Sequence, residues 1–168
     1  MILITGGTGF VGRALVPYLQ ARGRRVRIAS RHADPAFDSM FPADSVQVAP
    51  IGPGTDWSAA LDGADCVVHL AALAHVLEQT DERIAKEYFE VNTEGTLNLA
   101  RAAARAGVRR FVFVSSVKVY GSDTNGRVFT EADTPRPDDA YGESKWRAEQ
   151  GLREIADRAG MEFVVLRP

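Results

Sequence analysis

The 168-residue chain is 45% hydrophobic and 25% charged, with 20 Lys and Arg against 22 Asp and Glu and a formal net charge of −2. These proportions exclude a disordered tail, a collagen-like chain and a coiled coil. The length predicts one domain whose core needs no metal or disulfide staple. A nearly neutral chain offers no broad electrostatic footprint for nucleic acid, so a nucleic-acid partner is not expected and any anion must be held by a local device.

The chain opens on MILITGGTGFVG, with no basic leader and no apolar run long enough for a signal peptide or membrane span. No membrane attachment is expected, and the cytoplasm is the expected compartment. Cys66 is the single cysteine, so no internal disulfide forms, which fits a reducing compartment.

Ile2 to Thr5 is an apolar run ended by Gly6 and Gly7, and it predicts a short buried strand. From Phe10 the period changes: Val11, Leu15, Tyr18 and Leu19 recur at helical spacing up to Gly23. Arg25 to Ser30 predicts a second strand, and Val46 to Ala49 a third, before the breakers Pro50, Gly52, Pro53 and Gly54. Cys66 to Leu70 predicts a fourth strand. One long helical region runs from about Asp81 to Ala106 and closes at Gly107. Phe111 to Ser115 predicts a fifth strand, Gly121 to Pro137 a loop, Tyr141 to Ala159 a helix with Gly160 past its end, and Phe163 to Leu166 a sixth strand. Nearly continuous apolar strands alternating with helices predict an α/β fold, a doubly wound parallel sheet covered on both faces. No repeat or linker divides the chain, so residues 1–168 are expected to form one dinucleotide-binding domain.

Gly6, Gly9 and Gly12 follow the first strand and open the first helix. Such a turn tolerates positive φ, lets a pyrophosphate approach the backbone, and aims helix N–H groups at it. The plainer reading is a glycine turn without a ligand. No Lys-Ser/Thr pair follows, which argues against a nucleoside triphosphatase loop. The ribose-reading position after the second strand holds Ser30 and then Arg31. A guanidinium attracts a 2′-phosphate that an acid would repel, so NADP is favoured over NAD among the NAD(P) coenzymes. The alternative is that Arg31 is a solvated loop charge.

Tyr141 and Lys145 are four residues apart on a predicted helix and share a face. A phenol is a poor base at neutral pH, and a nearby ammonium is expected to lower its pKa. Alone, the pair is most simply explained as packing. The preceding glycine turn and a strand ending in Ser115-Ser116 give it chemical company.

TGGTGFVG, ADCVVHLAA, VNTEGTLNLARAA, FVFVSSVKVYG, YGESKWRAE and VVLRP, in that order, resemble the extended short-chain dehydrogenase/reductase family, and within it the NAD(P)-dependent nucleotide-sugar epimerase/dehydratase branch. The resemblance implies a Rossmann fold and a catalytic set of Ser116, Tyr141 as acid/base, and Lys145 as ribose ligand and tuner of Tyr141. It implies that Phe10 and Val11 line the pyrophosphate site, that Leu70, Ala71 and Ala72 line the adenosine side, that Asn92 bonds near the cofactor, and that Ser115 neighbours it. Where the family usually has an acid for the adenine amino group, this chain has Pro50, leaving Ile51 and the backbone. Where 4,6-dehydratases carry an Asp-Glu pair, it has Val117 and Lys118, so dehydration is not expected.

SSVKVYG, with His75 in LAALAHV, is similar to bacterial sugar epimerases and keto-reductases of surface-polysaccharide pathways. The implied substrate is a nucleotide sugar of the UDP-hexose class. A 4-epimerase acting through a keto intermediate, an NADPH-dependent 4-keto-sugar reductase and a non-catalytic redox-sensing module all remain open. The resemblance also implies a homodimer through the helix carrying Ala100, Ala102, Ala103 and Ala104 and the helix carrying Tyr141. Family members continue past the sixth strand into a substrate domain, which is expected to lie outside this chain. The remaining singular residues have plain readings. His69 is expected to be a satisfied core histidine, His32 a loop residue, and Trp57 and Trp146 packing groups. Lys118 is a solvated charge or faces an anionic substrate. The three histidines and Cys66 lack metal-ligand spacing.

Overall fold

Each strand pairs in parallel with its neighbours, because the crossovers between them are long enough to return the chain to the same end of the sheet. The structure, a computed structural model, describes residues 1–74, 82–124 and 126–168. The chain order is β1 (Ile2–Thr5), α1 (Phe10–Gln20), β2 (Val26–Ser30), α2 (Pro35–Met40), β3 (Asp44–Gln47), α3 (Ser58–Leu61) and β4 (Cys66–His69). Then come α4 (Glu82–Tyr88), a π-helical segment (Phe89–Gly95), α5 (Thr96–Arg105), β5 (Arg110–Val114), a 3₁₀ turn (Val117–Tyr120), α6 (Ala140–Ala159) and β6 (Glu162–Leu166). The six strands lie in the order β3-β2-β1-β4-β5-β6, the doubly wound arrangement expected from the sequence.

Alternate strand residues enter opposite faces. Leu3, Val67, Phe111 and Phe113 join Trp57, Leu99 and Leu152 in one core, while Ile4 and Ile28 pack with Val16 and Phe37 in the other. The second face is open over the β5–β6 end, where Val164 and Leu166 are 40% and 49% exposed.

Three departures from the expected elements have physical causes. β3 begins two residues before the predicted Val46, because Asp44 pairs with Arg27 across the strands at 2.7 Å and fixes the register. Its residues are mostly exposed at the sheet edge, so no apolar run marks its start. The helices α2 and α3 have six and four residues, too short for a periodic signal. The predicted long helix is divided by seven π-helical residues. Gly95 lies so close to the Ile51 loop that an added Cβ would be 2.6 Å from the Ile51 side chain. The predicted helix start at Asp81, and His75, lie outside the described residues.

Candidate functional site

Gly6 takes φ +70, and a Cβ there would lie 2.8 Å from the Ala71 backbone nitrogen. A Cβ on Gly12 would lie 2.4 Å from the carbonyl oxygens of both Gly6 and Gly7. The glycines therefore let the first turn of α1 pack directly on the exit of β1. Gly9 is the N-cap, and no side chain caps the helix. Its first-turn N–H groups lack intrahelical partners and face outward at the carboxyl end of the sheet. Phe10 and Val11 stand beside them, 97% and 52% exposed.

Arg31 and the apolar residues Pro50, Ile51, Ala71, Ala72, Leu73 and Val91 line a groove of about 160 Å³. The structure thus brings Arg31, Ile51, Ala71 and Ala72 together in one groove. Among the described residues, nothing pairs with the Arg31 guanidinium. The Ser30 hydroxyl donates to the His32 carbonyl at 2.9 Å. Leu70 departs from its expected place: it packs against the α1-side core and does not line this groove.

Beyond β5, Ser115 is buried with no partner for its hydroxyl, while Ser116 caps the 3₁₀ turn by accepting from the Lys118 N–H at 3.2 Å. Asp139 caps α6 by accepting from Gly142 N–H at 2.6 Å, which fixes Tyr141 in the first turn. The Tyr141 ring meets Tyr88 edge-on at 5.7 Å. Burial raises the Tyr141 pKa, the neighbouring Ser116 hydroxyl opposes this, and Tyr88 and Asp139 raise it further.

This corrects the expectation that Lys145 draws the phenol down. Lys145 is 1% exposed and its ammonium rests 4.2 Å from the centre of the Phe113 ring. Burial lowers its own pKa to about 7, opposed by the Glu149 carboxylate. Tyr141 and Lys145 share a helix face, but packing sends their polar ends into different surroundings.

Asn92 is also placed differently from the expectation. Its amide donates to Leu73 carbonyl at 3.0 Å and to Ser144 Oγ at 3.1 Å, and it accepts from Leu73 N–H at 2.8 Å. Both amide hydrogens go to protein, so Asn92 ties the β4 exit to α6. Thr93 donates to the Ser144 carbonyl at 2.8 Å, and Ser144 donates to the Tyr141 carbonyl at 2.7 Å. Sequence reasoning missed Thr93, Ser144, Glu149 and Arg167. The signal for Glu149 was its place four residues after Lys145.

His69 is fully satisfied, with Thr5 Oγ1 at 2.6 Å and Thr96 Oγ1 at 2.9 Å from its ring nitrogens. Trp57 is buried in the core. The Trp146 ring faces the Arg167 guanidinium at 5.9 Å. Lys118 is paired with Asp139 at 3.3 Å and donates to Ser122. Ala100 and Ala103 are buried within the chain's own core. A cavity of about 650 Å³ opens at the amino ends of the strands around Met1, Asp65, Arg109 and Glu162, away from these groups.

A nicotinamide dinucleotide fits what the site offers among the described residues: an uncapped helix N-terminus for its pyrophosphate, a guanidinium without a partner, and the orphaned Ser115 hydroxyl next to Ser116.

The profile of the NAD dependent epimerase/dehydratase family matches residues 2–168. The chain is 42% identical over 169 residues to the UDP-glucose 4-epimerase of Vibrio cholerae, covering 99% of this chain and 50% of that protein. It is 36% identical over 171 residues to the 3-beta-hydroxysteroid dehydrogenase of Mycolicibacterium neoaurum, covering 99% and 46%. The solved structure of MoeE5 in complex with UDP-glucose and NAD superposes with a TM-score of 0.82 at 32% identity, covering 98% of this chain and 52% of that one. The chain spans about half the length of the relatives it matches. No helix among the described residues is long and apolar enough to cross a membrane.

Proposed function

Since the chain belongs to the NAD-dependent epimerase/dehydratase family, we propose that residues 1–168 are the NAD(P)-binding Rossmann domain of a cytoplasmic, homodimeric nucleotide-sugar 4-epimerase. The observation that carries this reading is that Ser116, capping the turn after β5, and Tyr141, fixed in the first turn of α6, lie at the carboxyl end of the sheet, one helical turn before Lys145. The likeness to the Vibrio cholerae epimerase and to the UDP-glucose complex supports a UDP-hexose as substrate.

The bound NAD(P) supplies reversible hydride acceptance. The chain's own groups do the rest. The open turn at Gly6, Gly9, Phe10, Val11 and Gly12 binds the pyrophosphate. Ile51, Ala71 and Ala72 hold the adenosine side. Tyr141 exchanges a proton with the sugar's C4 oxygen, and Ser116 hydrogen-bonds that oxygen as its charge changes. Lys145 holds the nicotinamide ribose, and Ser115 donates beside it.

Keto-sugar reduction is the second reading. It is favoured by Arg31, whose guanidinium has no partner among the described residues and suits an exchangeable NADPH, and by the raised Tyr141 pKa, which suits proton donation. The experiment supplies the full-length protein with a UDP-hexose, and separately with a UDP-4-keto sugar and NADPH, while absorbance at 340 nm and product stereochemistry are followed. Inversion at C4 without net coenzyme loss is the expected result, and stoichiometric oxidation of NADPH supports reduction instead. Tyr141→Phe should slow either reaction roughly 10²–10⁴-fold, the usual worth of a positioned acid/base. A near-normal rate would remove Tyr141 from the chemistry.

A further inference from the structure

Among the described residues, none that lines the groove carrying Arg31 is a carboxylate. Its walls are Pro50 and Ile51 from the loop after β3, Ala71 and Ala72 from the β4 exit, and Val91 from the π segment. A purine's exocyclic amine is selected by an acceptor placed to receive it, and a carboxylate does this best.

The loop backbone at Pro50 and Gly52 is engaged within the loop. Pro50 has no N–H to give, and its carbonyl accepts from Thr55 Oγ1 at 2.8 Å. The Gly52 N–H donates to the same hydroxyl at 2.9 Å, and the Gly52 carbonyl accepts from Asn98 at 3.2 Å. Thr55 is buried, and Asn98 also donates to the Thr55 carbonyl at 2.8 Å, so the loop is pinned in this arrangement. Gly95 packs against it from α5's side with no room for a Cβ.

Resting on the dinucleotide reading above, we propose that this groove holds the purine without a side-chain acceptor for its 6-position and accepts coenzymes whose purine carries a 6-oxo group as readily as those carrying a 6-amino group, with position 50 as the residue that sets this tolerance. Arg31 leaves it unchanged, because a guanidinium beside the ribose reads phosphate and not the base edge.

The test is calorimetric titration of the protein with NAD and NADP and, in parallel, with nicotinamide hypoxanthine dinucleotide and its 2′-phosphate. The expected result is less than about a fivefold difference within each pair, below the roughly tenfold or greater loss that follows removal of a charge-assisted hydrogen bond. A preference for adenine of about fivefold or more overturns the proposal. Pro50→Asp supplies an acceptor at the groove wall and should raise the adenine preference about tenfold. Pro50→Asn does so without adding charge if the aspartate variant fails to fold. An unchanged ratio in a folded variant overturns the assignment of position 50. Failure of all four dinucleotides to bind overturns the dinucleotide reading itself, and this inference with it.

Discussion

Arg167, just past β6, grips Glu149 of α6 with two arms, Nε donating to Oε1 at 3.0 Å and Nη2 to Oε2. Its third nitrogen donates to the Tyr120 hydroxyl. The Glu149 side chain is 4% exposed and that of Arg167 20%. One carboxylate thereby anchors the last strand and also supports the Lys145 ammonium one turn earlier on the same helix.

Removing that carboxylate leaves a largely buried guanidinium without its partner. Glu149→Gln should lower stability by roughly 2–4 kcal/mol, somewhat below the value for fully buried pairs because Arg167 keeps partial solvent access. Arg167→Lys should cost less, since one point charge replaces the two-armed contact. Chemical denaturation measures both. In wild type, dinucleotide affinity should fall as pH rises through about 7, where Lys145 loses its proton. In Glu149→Gln the midpoint should move to lower pH, because the group that favours the ammonium is gone. An unmoved midpoint would separate Glu149 from Lys145.

The glycine turn predicts a sharp contrast between two substitutions. Gly12→Ala drives a Cβ to 2.4 Å from two carbonyl oxygens of the backbone, which cannot swing aside. A loss of more than about 3 kcal/mol is expected, together with loss of coenzyme binding. Gly54→Ala meets nothing within 4 Å and should stay within about 0.5 kcal/mol of wild type. Thermal unfolding of the two variants side by side makes the comparison.

His69 gives the protein an acid limit. Burial lowers its pKa from 6.5 to about 3, with the Lys145 charge adding to the effect. The unfolded chain therefore takes a proton below pH 6.5 that the folded site refuses. Stability is unaffected by this group above that pH and falls as pH drops toward 3. Between pH 7.5 and pH 5 the contribution is about 2 kcal/mol. His69→Gln should start less stable at neutral pH and lose less on acidification. Parallel acid slopes in the two proteins would show that other groups carry the limit.

Arg31 carries the expected preference for NADP. Arg31→Ala should weaken NADP binding by roughly tenfold to a hundredfold and leave NAD nearly unchanged, as expected for one charge-assisted contact to the 2′-phosphate. Equal losses for both coenzymes, or a wild-type preference for NAD, would make Arg31 a surface charge. Fluorescence titration with each coenzyme reads the difference.

The strand and helix order, the glycine turn and the shared helix face of Tyr141 and Lys145 were legible in the sequence because each is a local pattern. Apolar runs mark buried parallel strands, glycines mark the tight exit after Thr5, and a four-residue spacing puts Tyr141 and Lys145 on one face. Tertiary structure alone decided the rest. The start of β3 was set by the Arg27–Asp44 cross-strand pair, and the π-helical segment lies where Asn92 and Thr93 reach Ser144. The Tyr141 and Lys145 pKa values were set by what covers each side chain, a property of residues far away in sequence such as Tyr88 and Phe113. Periodicity states which way a side chain points. The dielectric and the partners it meets there come from elements that only folding brings alongside.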